Sequence, residues 1–268
     1  MTLRLLFVAL ALLAYSCKSS KEASKSKTAT TAKPPAKKPG KNDIQPYGKV
    51  ITKDAVTDKG LFDVHKIEDK FFYEIPDSLF EREMLMVTRI AKTASGIGFG
   101  GGKQNTQVLR WQKKDKKVLL RVVSHQVVAA DSLPVSEAVV KSNFEPVLAT
   151  FPIKAFKKDS TTNNTVIDVT NLFTKDVKAL GFPQARRQQY RITRLEADKS
   201  FVESVKSYPQ NIEARHVKTY AAGRPPSNSS TGSISLEINN SMILLPKEPM
   251  KRRYFDQRVG WFARGQVD

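Results

Sequence analysis

Apolar positions along the chain fall in short runs rich in β-branched and aromatic residues, separated by turn-forming residues. "LFDVHKI", "KFFYEIP", "MLMVTRIA", "TQVLRWQ", "KVLLRVVSH", "VLATFPIKAF", "TVIDVT", "NIEARHVKTYA" and "SISLEINNSMILLP" have the length and composition of strands. Helical spacing is confined to three places: "PDSLFER" after Ile75, "PVSEAVVKSNF" over 134–144, and "TNLFTKDVKALG", where Thr170 or Asn171 can cap and Gly181 terminate. Three- and four-residue apolar spacing in "SLFEREM" and "SEAVVKSNF" predicts that each lays one face on a sheet. Single helices are too sparse for a doubly wound parallel sheet, and the close turns favour antiparallel neighbours. The expected fold class is therefore α+β, mainly antiparallel β-sheet with a few short helices. "KDSTTNNT" over 158–165 reads as a hairpin tip and "GRPPSNSSTG" over 223–232 as a longer exposed loop.

The first 43 residues break this pattern. "MTLRLLFVALALLAYSC" has one early positive charge, an apolar run too short to span a bilayer as a helix, and Ser16 just before Cys17, which reads as a secretory signal over residues 1–16. A signal ending in cysteine resembles that of a bacterial lipoprotein, which implies lipidation of Cys17 and membrane attachment through it. The alternative is an ordinary signal with an incidental cysteine. Residues 17–43, dominated by Lys, Ser, Thr, Ala and Pro, are expected to form a disordered tether.

Charge changes the picture less than its size suggests. The net charge is +19, but +8 of it lies in the first 49 residues, and no arginine–aromatic platform for single strands is evident. No nucleic-acid partner is expected of an exported chain. The single cysteine excludes an internal disulfide and a multi-cysteine zinc site.

Candidate chemistry begins with "TASGIGFGGGKQNTQ", where Gly96, Gly98 and Gly101 fit G-x-G-x-x-G. A dinucleotide site needs a helix after those glycines, and here a strand-like run follows. The phosphate-loop pattern fails because Ile97 stands where its first glycine belongs and Gln104 follows Lys103. The kinase pattern fails at Lys103 and lacks its other elements. No nucleotide is expected. Gly96, Gly98, Gly100, Gly101 and Gly102 are read as a mobile loop between two strands. His65, His125 and His216 each sit in a strand-like segment with no second ligand at helical spacing, and neither H-E-x-x-H nor G-x-S-x-G occurs. Glu81, Glu83, Asp168 and Asp176 read as turn, cap or surface groups. Arg186-Arg187 and Lys251 to Arg253 read as solvated basic clusters.

Several segments in order carry a family resemblance. "GLFDVHKIEDKFFYEIPDSLFEREMLMVTRIAK", "GIGFGGGKQNTQVLRWQKKDKKVLLR", "NFEPVLATFPIKAF", "VIDVTNLF", "KSFVESVKSYPQNIEAR" and "SMILLPKEPMKRRYFDQRVGWF" resemble the N-terminal, non-catalytic region of the zinc-dependent metallopeptidases of Bacteroidetes-type bacterial envelopes. The resemblance implies a short leading domain over 44–92 and a β-rich domain of unknown function over 93–268, ahead of a metzincin-like catalytic domain absent from this sequence. It implies zinc in the parent family, with no catalytic or metal-binding residue to carry over, so no activity is expected of this chain alone. Either it is a truncated frame or fragment, or it is a stand-alone copy of the leading domains. The expected role is an accessory region that packs on or regulates a protease domain, in cis or in trans. The expected place is the outer membrane, as a lipoprotein facing the periplasm or the exterior. The alternative is a surface-anchored module binding peptide or glycan, favoured by an exposed aromatic groove at Trp111 or Trp261.

Overall fold

The structure is a computed structural model that describes residues 44–158, 163–227, 229–251, 256 and 258. Cys17, the signal and tether segments, Trp261 and most of "DQRVGWF" lie outside the described residues.

One antiparallel sheet of twelve strands dominates. Along it run β1 (Val56–Asp58), β2 (Asp63–Ile67), β3 (Lys70–Pro76), β8 (Asn163–Asp168), β7 (Val147–Lys158) and β6 (Lys117–Val123). Then come β5 (Lys103–Lys114), β4 (Glu83–Lys92), β12 (Ser233–Leu244), β11 (Asn211–Ala222) and β10 (Phe201–Ser207), while β9 (Ile192–Leu195) also pairs with β11. The strands of the first expected domain, β1 to β4, and those of the second, β5 to β12, thus share one sheet, since β3 pairs with β8 and β4 lies between β5 and β12. Four short helices accompany it: α1 (Tyr47–Val50), α2 (Ser136–Ser142), α3 (Thr170–Thr174) and α4 (Gln184–Gln189).

The sheet curls into a nearly closed barrel because its two ends meet. The Leu61 N–H donates to the Tyr208 carbonyl at 2.8 Å. The Ser207 N–H donates to Asp58 Oδ2 at 3.1 Å, and Ser207 Oγ donates to the Phe62 carbonyl at 2.7 Å. Closure satisfies edge groups that an open sheet would leave to pair with other chains. Gly60 makes the approach possible, because a Cβ there would lie 2.8 Å from the Ser207 and Tyr208 backbone.

Period-two alternation places the core. Met84, Met86 and Ile90 of β4, and Ile234, Leu236, Ile238 and Met242 of β12, point inward. Trp111, fully buried, sits edge-on to Phe62 and Tyr73 with ring centroids 6.2 Å away, and Phe151 lies at 5.5 Å. A second cluster gathers Phe182, Tyr190, Tyr220 and Ile238 at another part of the sheet. A third packs Ile51, beside α1, on Phe72, Ala155 and Val166.

Three helix expectations need correction. "SLFEREM" forms only a single 3-10 turn, Asp77–Leu79, although Leu79 and Phe80 do pack against the core. "TNLFTKDVKALG" breaks after Thr174, with a separate 3-10 turn at Lys178–Leu180 followed by Gly181. Neither Thr170 nor Asn171 caps it: the N-cap is Val169, and Asp168 Oδ1 just before it accepts from the Thr170 N–H, while Thr170 Oγ1 accepts from the Phe71 N–H. "SEAVVKSNF" does form α2, but α2 buries no residue on the sheet. β1, β9 and β10 are strands that the apolar runs did not mark. The hairpin read at 158–165 joins β7 to β8, with Lys158 opposite Asn163 and residues 159–162 outside the description.

Candidate interaction surface

Between β6 and β7 the chain leaves the sheet for residues 124–146 and carries α2 out with it. Of the eleven large hydrophobic residues exposed among the described residues, six lie in or beside this excursion: Val127, Leu133, Val135, Val140, Phe144 and Val147. Val140 is 72% exposed and Phe144 79%. A concentration of this kind marks a contact surface more often than a scatter of single apolar residues does.

Local chemistry explains how the excursion is held. Arg110 of β5 and Arg121 of β6 are direct cross-strand partners, an arrangement that repels unless a carboxylate intervenes. Glu145 supplies it, pairing through its side chain with Arg110, while its carbonyl accepts from Arg121 Nη1 at 2.7 Å. Burial alone would lower the Arg110 pKa; Glu145, Glu81 and Glu83 more than reverse that and hold the guanidinium charged. Arg121 Nε donates to Gln112 Oε1 at 2.7 Å, and its guanidinium lies 5.1 Å from the centre of the Phe144 ring. The Val122 N–H donates to the Pro146 carbonyl at 3.0 Å. The lobe is therefore anchored at its C-terminal end, and α2 stands off the sheet with Val139 half-buried and Val140 in water. A groove of about 440 Å³ opens between lobe and sheet, lined by Arg110, Arg121, Val128, Val140, Phe144 and Glu145 among others. Its charged groups are engaged with one another, so it is suited to receive apolar side chains.

Elsewhere, buried polar groups are built into the fold. Glu74 of β3 is fully buried and accepts from Tyr47 OH at 2.7 Å, Asn164 Nδ2 at 2.7 Å and Lys157 Nζ at 2.9 Å. His65 Nε2 is 3.1 Å from it, and with that nitrogen protonated Nδ1 accepts from the Thr57 hydroxyl at 2.8 Å. Burial would raise the Glu74 carboxyl, but its four donors win and hold it down to about 2. On β11, alternation sends His216, Lys218 and Tyr220 inward. His216 meets Asn240 Oδ1 at 2.6 Å, and burial, reinforced by the Lys218 charge, lowers its pKa to about 3. The Lys218 ammonium donates to the Lys175 carbonyl at 3.0 Å, and burial lowers its pKa to about 8.

Arg187 overturns the expectation of a solvated pair at Arg186-Arg187. Arg186 is exposed, but Arg187 is buried, paired with Asp176 and bonded through Nε to the Phe182 carbonyl at 2.8 Å. His125 is exposed beside Glu83 and lies just past β6, not in a strand. Glu81 is exposed near Arg110. Among the described residues, no group of three or more His, Cys, Asp or Glu could hold a metal ion. None of their helices is long and apolar enough to cross a membrane.

The glycine loop joins β4 to β5. Gly96, Gly98 and Gly101 have positive φ, and a Cβ at Gly100 would lie 2.5 Å from the Ala91 carbonyl oxygen. The base of the loop is tied down: the Gly101 N–H donates to the Ile90 carbonyl at 2.7 Å, and the Ile90 N–H donates to the Gly102 carbonyl at 3.0 Å. Phe99 at its tip is 98% exposed.

The hydrophobic signal for the lobe was present in the sequence, since Val135, Val139, Val140 and Phe144 stand out in "PVSEAVVKSNF". Periodicity, however, does not say whether an apolar stripe faces its own sheet or another molecule. For His216 and Lys218 the signal was period-two alternation in "NIEARHVKTYA", which places both in register with Ile212, Ala214 and Tyr220. Trp111 lies inside the barrel and takes no part in an exposed aromatic groove.

Residues 101–268 match the family described as Domain of unknown function (DUF5117), and residues 44–93 match Domain of unknown function (DUF5118). No curated protein matches the chain, and no solved structure does.

Proposed function

The chain belongs to the DUF5117 family, and we propose, from the segments quoted above, that it acts as a non-catalytic accessory region of an envelope zinc-dependent metallopeptidase. In this reading it packs on or regulates the catalytic domain, in cis or in trans, through the lobe around α2. The observation that carries the docking role is the concentration of exposed apolar residues from Val127 to Val147. The metallopeptidase link rests on the ordered segments that resemble that family.

The lobe is tested by V140D together with F144D. Supplied in trans with a zinc-dependent catalytic domain of the resembled family, the parent chain should bind and the double variant should bind at least about tenfold more weakly. Both side chains are exposed, so its Tm should match the parent's. Equal affinities for the two chains, or no binding by the parent, would contradict the reading.

We also place the chain at the bacterial outer membrane through lipidated Cys17, a reading supported by the "LLAYSC" end of the signal segment. In a bacterial host Cys17→Ser should move the chain from the membrane to the soluble fraction. Unchanged membrane recovery would remove the anchor from the account.

A further inference from the structure

A second surface, distinct from the lobe, gathers at the end of the barrel that carries the glycine loop. Three segments meet there. Gly96 faces Pro226, with an added Cβ only 3.1 Å from that ring, which brings the 93–102 loop against the 223–232 loop. The Gly223 N–H donates to the Arg191 carbonyl at 3.0 Å and the Arg224 N–H to the Tyr190 carbonyl at 3.0 Å, which ties the same loop to the turn between α4 and β9. Ile97 packs on the cluster containing Phe182, Tyr190 and Ala222, so the root of the glycine loop is seated on this end.

The charge of these segments is one-sided. Residues 88–108, 181–195 and 221–236 together hold eight Arg or Lys and no Asp or Glu. Lys92, Arg187 and Arg194 are held by Glu237, Asp176 and Glu196, carboxylates from outside the three segments. Arg89, Lys103, Arg186, Arg191 and Arg224 are exposed and form no ion pair among the described residues. Phe99, 98% exposed, lies between Gly98 and Gly100 on the loop that begins after Arg89 and Lys92 and ends at Lys103. A phenylalanine held in water on a glycine-flanked loop of a basic barrel end contributes nothing to the core.

We propose that this end of the barrel docks on an anionic lipid surface, with Phe99 entering the boundary between headgroups and acyl chains and the surrounding arginines and lysines meeting the phosphates. Basic groups close to an anionic leaflet are attracted to its phosphates, and an inserted aromatic adds apolar burial, so the combination suits a reversible membrane contact. A single-stranded nucleic acid fits less well. It is bound by aromatics in succession, and among the described residues of these three segments Phe182 and Tyr190 are buried and Phe99 is the one exposed aromatic. Gly98, Gly100, Gly101 and Gly102 present no polar side chain that would have to be desolvated as the tip enters. The inference depends neither on the lobe nor on the protease assignment.

The test uses the full chain carrying Phe99→Trp, because fluorescence at this position reports the loop and not the lysine-rich N-terminal segment. Vesicles of phosphatidylcholine with roughly a third phosphatidylglycerol should shift its emission to shorter wavelength relative to the parent chain, and brominated acyl chains should quench it. Pure phosphatidylcholine should do neither. Adding R191E and R224E should weaken the vesicle response at least about tenfold. Absence of shift and quenching on the anionic vesicles would overturn the proposal, even if the chain sediments with them. A shift produced by single-stranded DNA but not by vesicles would overturn it in favour of a nucleic-acid surface.

Discussion

Replacing Glu74 with alanine is expected to lower the stability of the barrel by about 3–5 kcal/mol, the range for removing one partner from a buried charged network. For a domain of this size that corresponds to a fall in Tm on the order of 10 °C. The carboxylate joins five elements at one point: Tyr47 of α1, His65 of β2, Glu74 itself on β3, Lys157 of β7 and Asn164 of β8. Without it, the buried His65 and the half-buried donors around it lose their acceptor, and the cost is the desolvation of each unpaired group. Lys157 is 38% exposed and recovers water, so the loss should come mainly from His65, Tyr47 and Asn164. Glu74→Gln keeps an acceptor oxygen and should fall between the parent and the alanine variant. Chemical denaturation of the three chains measures this. A Glu74→Ala chain within 1 kcal/mol of the parent, on the roughly 1 kcal/mol scale of an ordinary hydrogen bond, would show that the network does not hold these elements together.

Acid should unfold the protein in two overlapping windows. An unfolded histidine takes up a proton near pH 6.5, whereas buried His216 refuses it until about 3. Between those values the unfolded state binds more protons, so stability falls as the pH drops from 6.5 towards 3. The slope for one proton is about 1.4 kcal/mol per pH unit. Glu74 adds a lower window: its folded carboxylate stays charged down to about 2, against 4.5 for the ordinary group. Its stabilisation is complete above 4.5 and is lost as the pH falls through 2. His216→Gln should flatten the upper window and leave the lower one. Urea unfolding of parent and variant at a series of pH values reads both slopes; identical slopes between pH 6.5 and 4.5 would show that His216 is not held neutral by its surroundings.

The fold class was legible because the apolar runs are short, rich in β-branched and aromatic residues, and separated by turn residues. β2 to β8, β11 and β12 all fall on them. β10 escaped because "FVESVKS" buries only alternate positions and interleaves Glu and Lys with Ser and Val. β1 and β9, with three and four residues, are too short for any period to declare itself. The helix after Thr170 looked continuous because spacing cannot register that Asp176 is drawn towards Arg187 and the Lys175 carbonyl towards Lys218. Barrel closure was invisible for a related reason: Asp58, Leu61 and Phe62 meet Ser207 and Tyr208 across nearly 150 residues of chain. For the surfaces, the residues were legible but their orientation was not. α2 carries the apolar stripe of a packed helix, and only the structure shows that no part of the described chain covers it.

Whether the lobe around α2 receives a protease domain can be read from hydrogen exchange along the whole chain. The full chain would be compared alone and with a zinc-dependent catalytic domain of the resembled family. Docking there should slow exchange over 133–147. Unchanged exchange over 133–147, or protection confined to other strands, would contradict the docking surface.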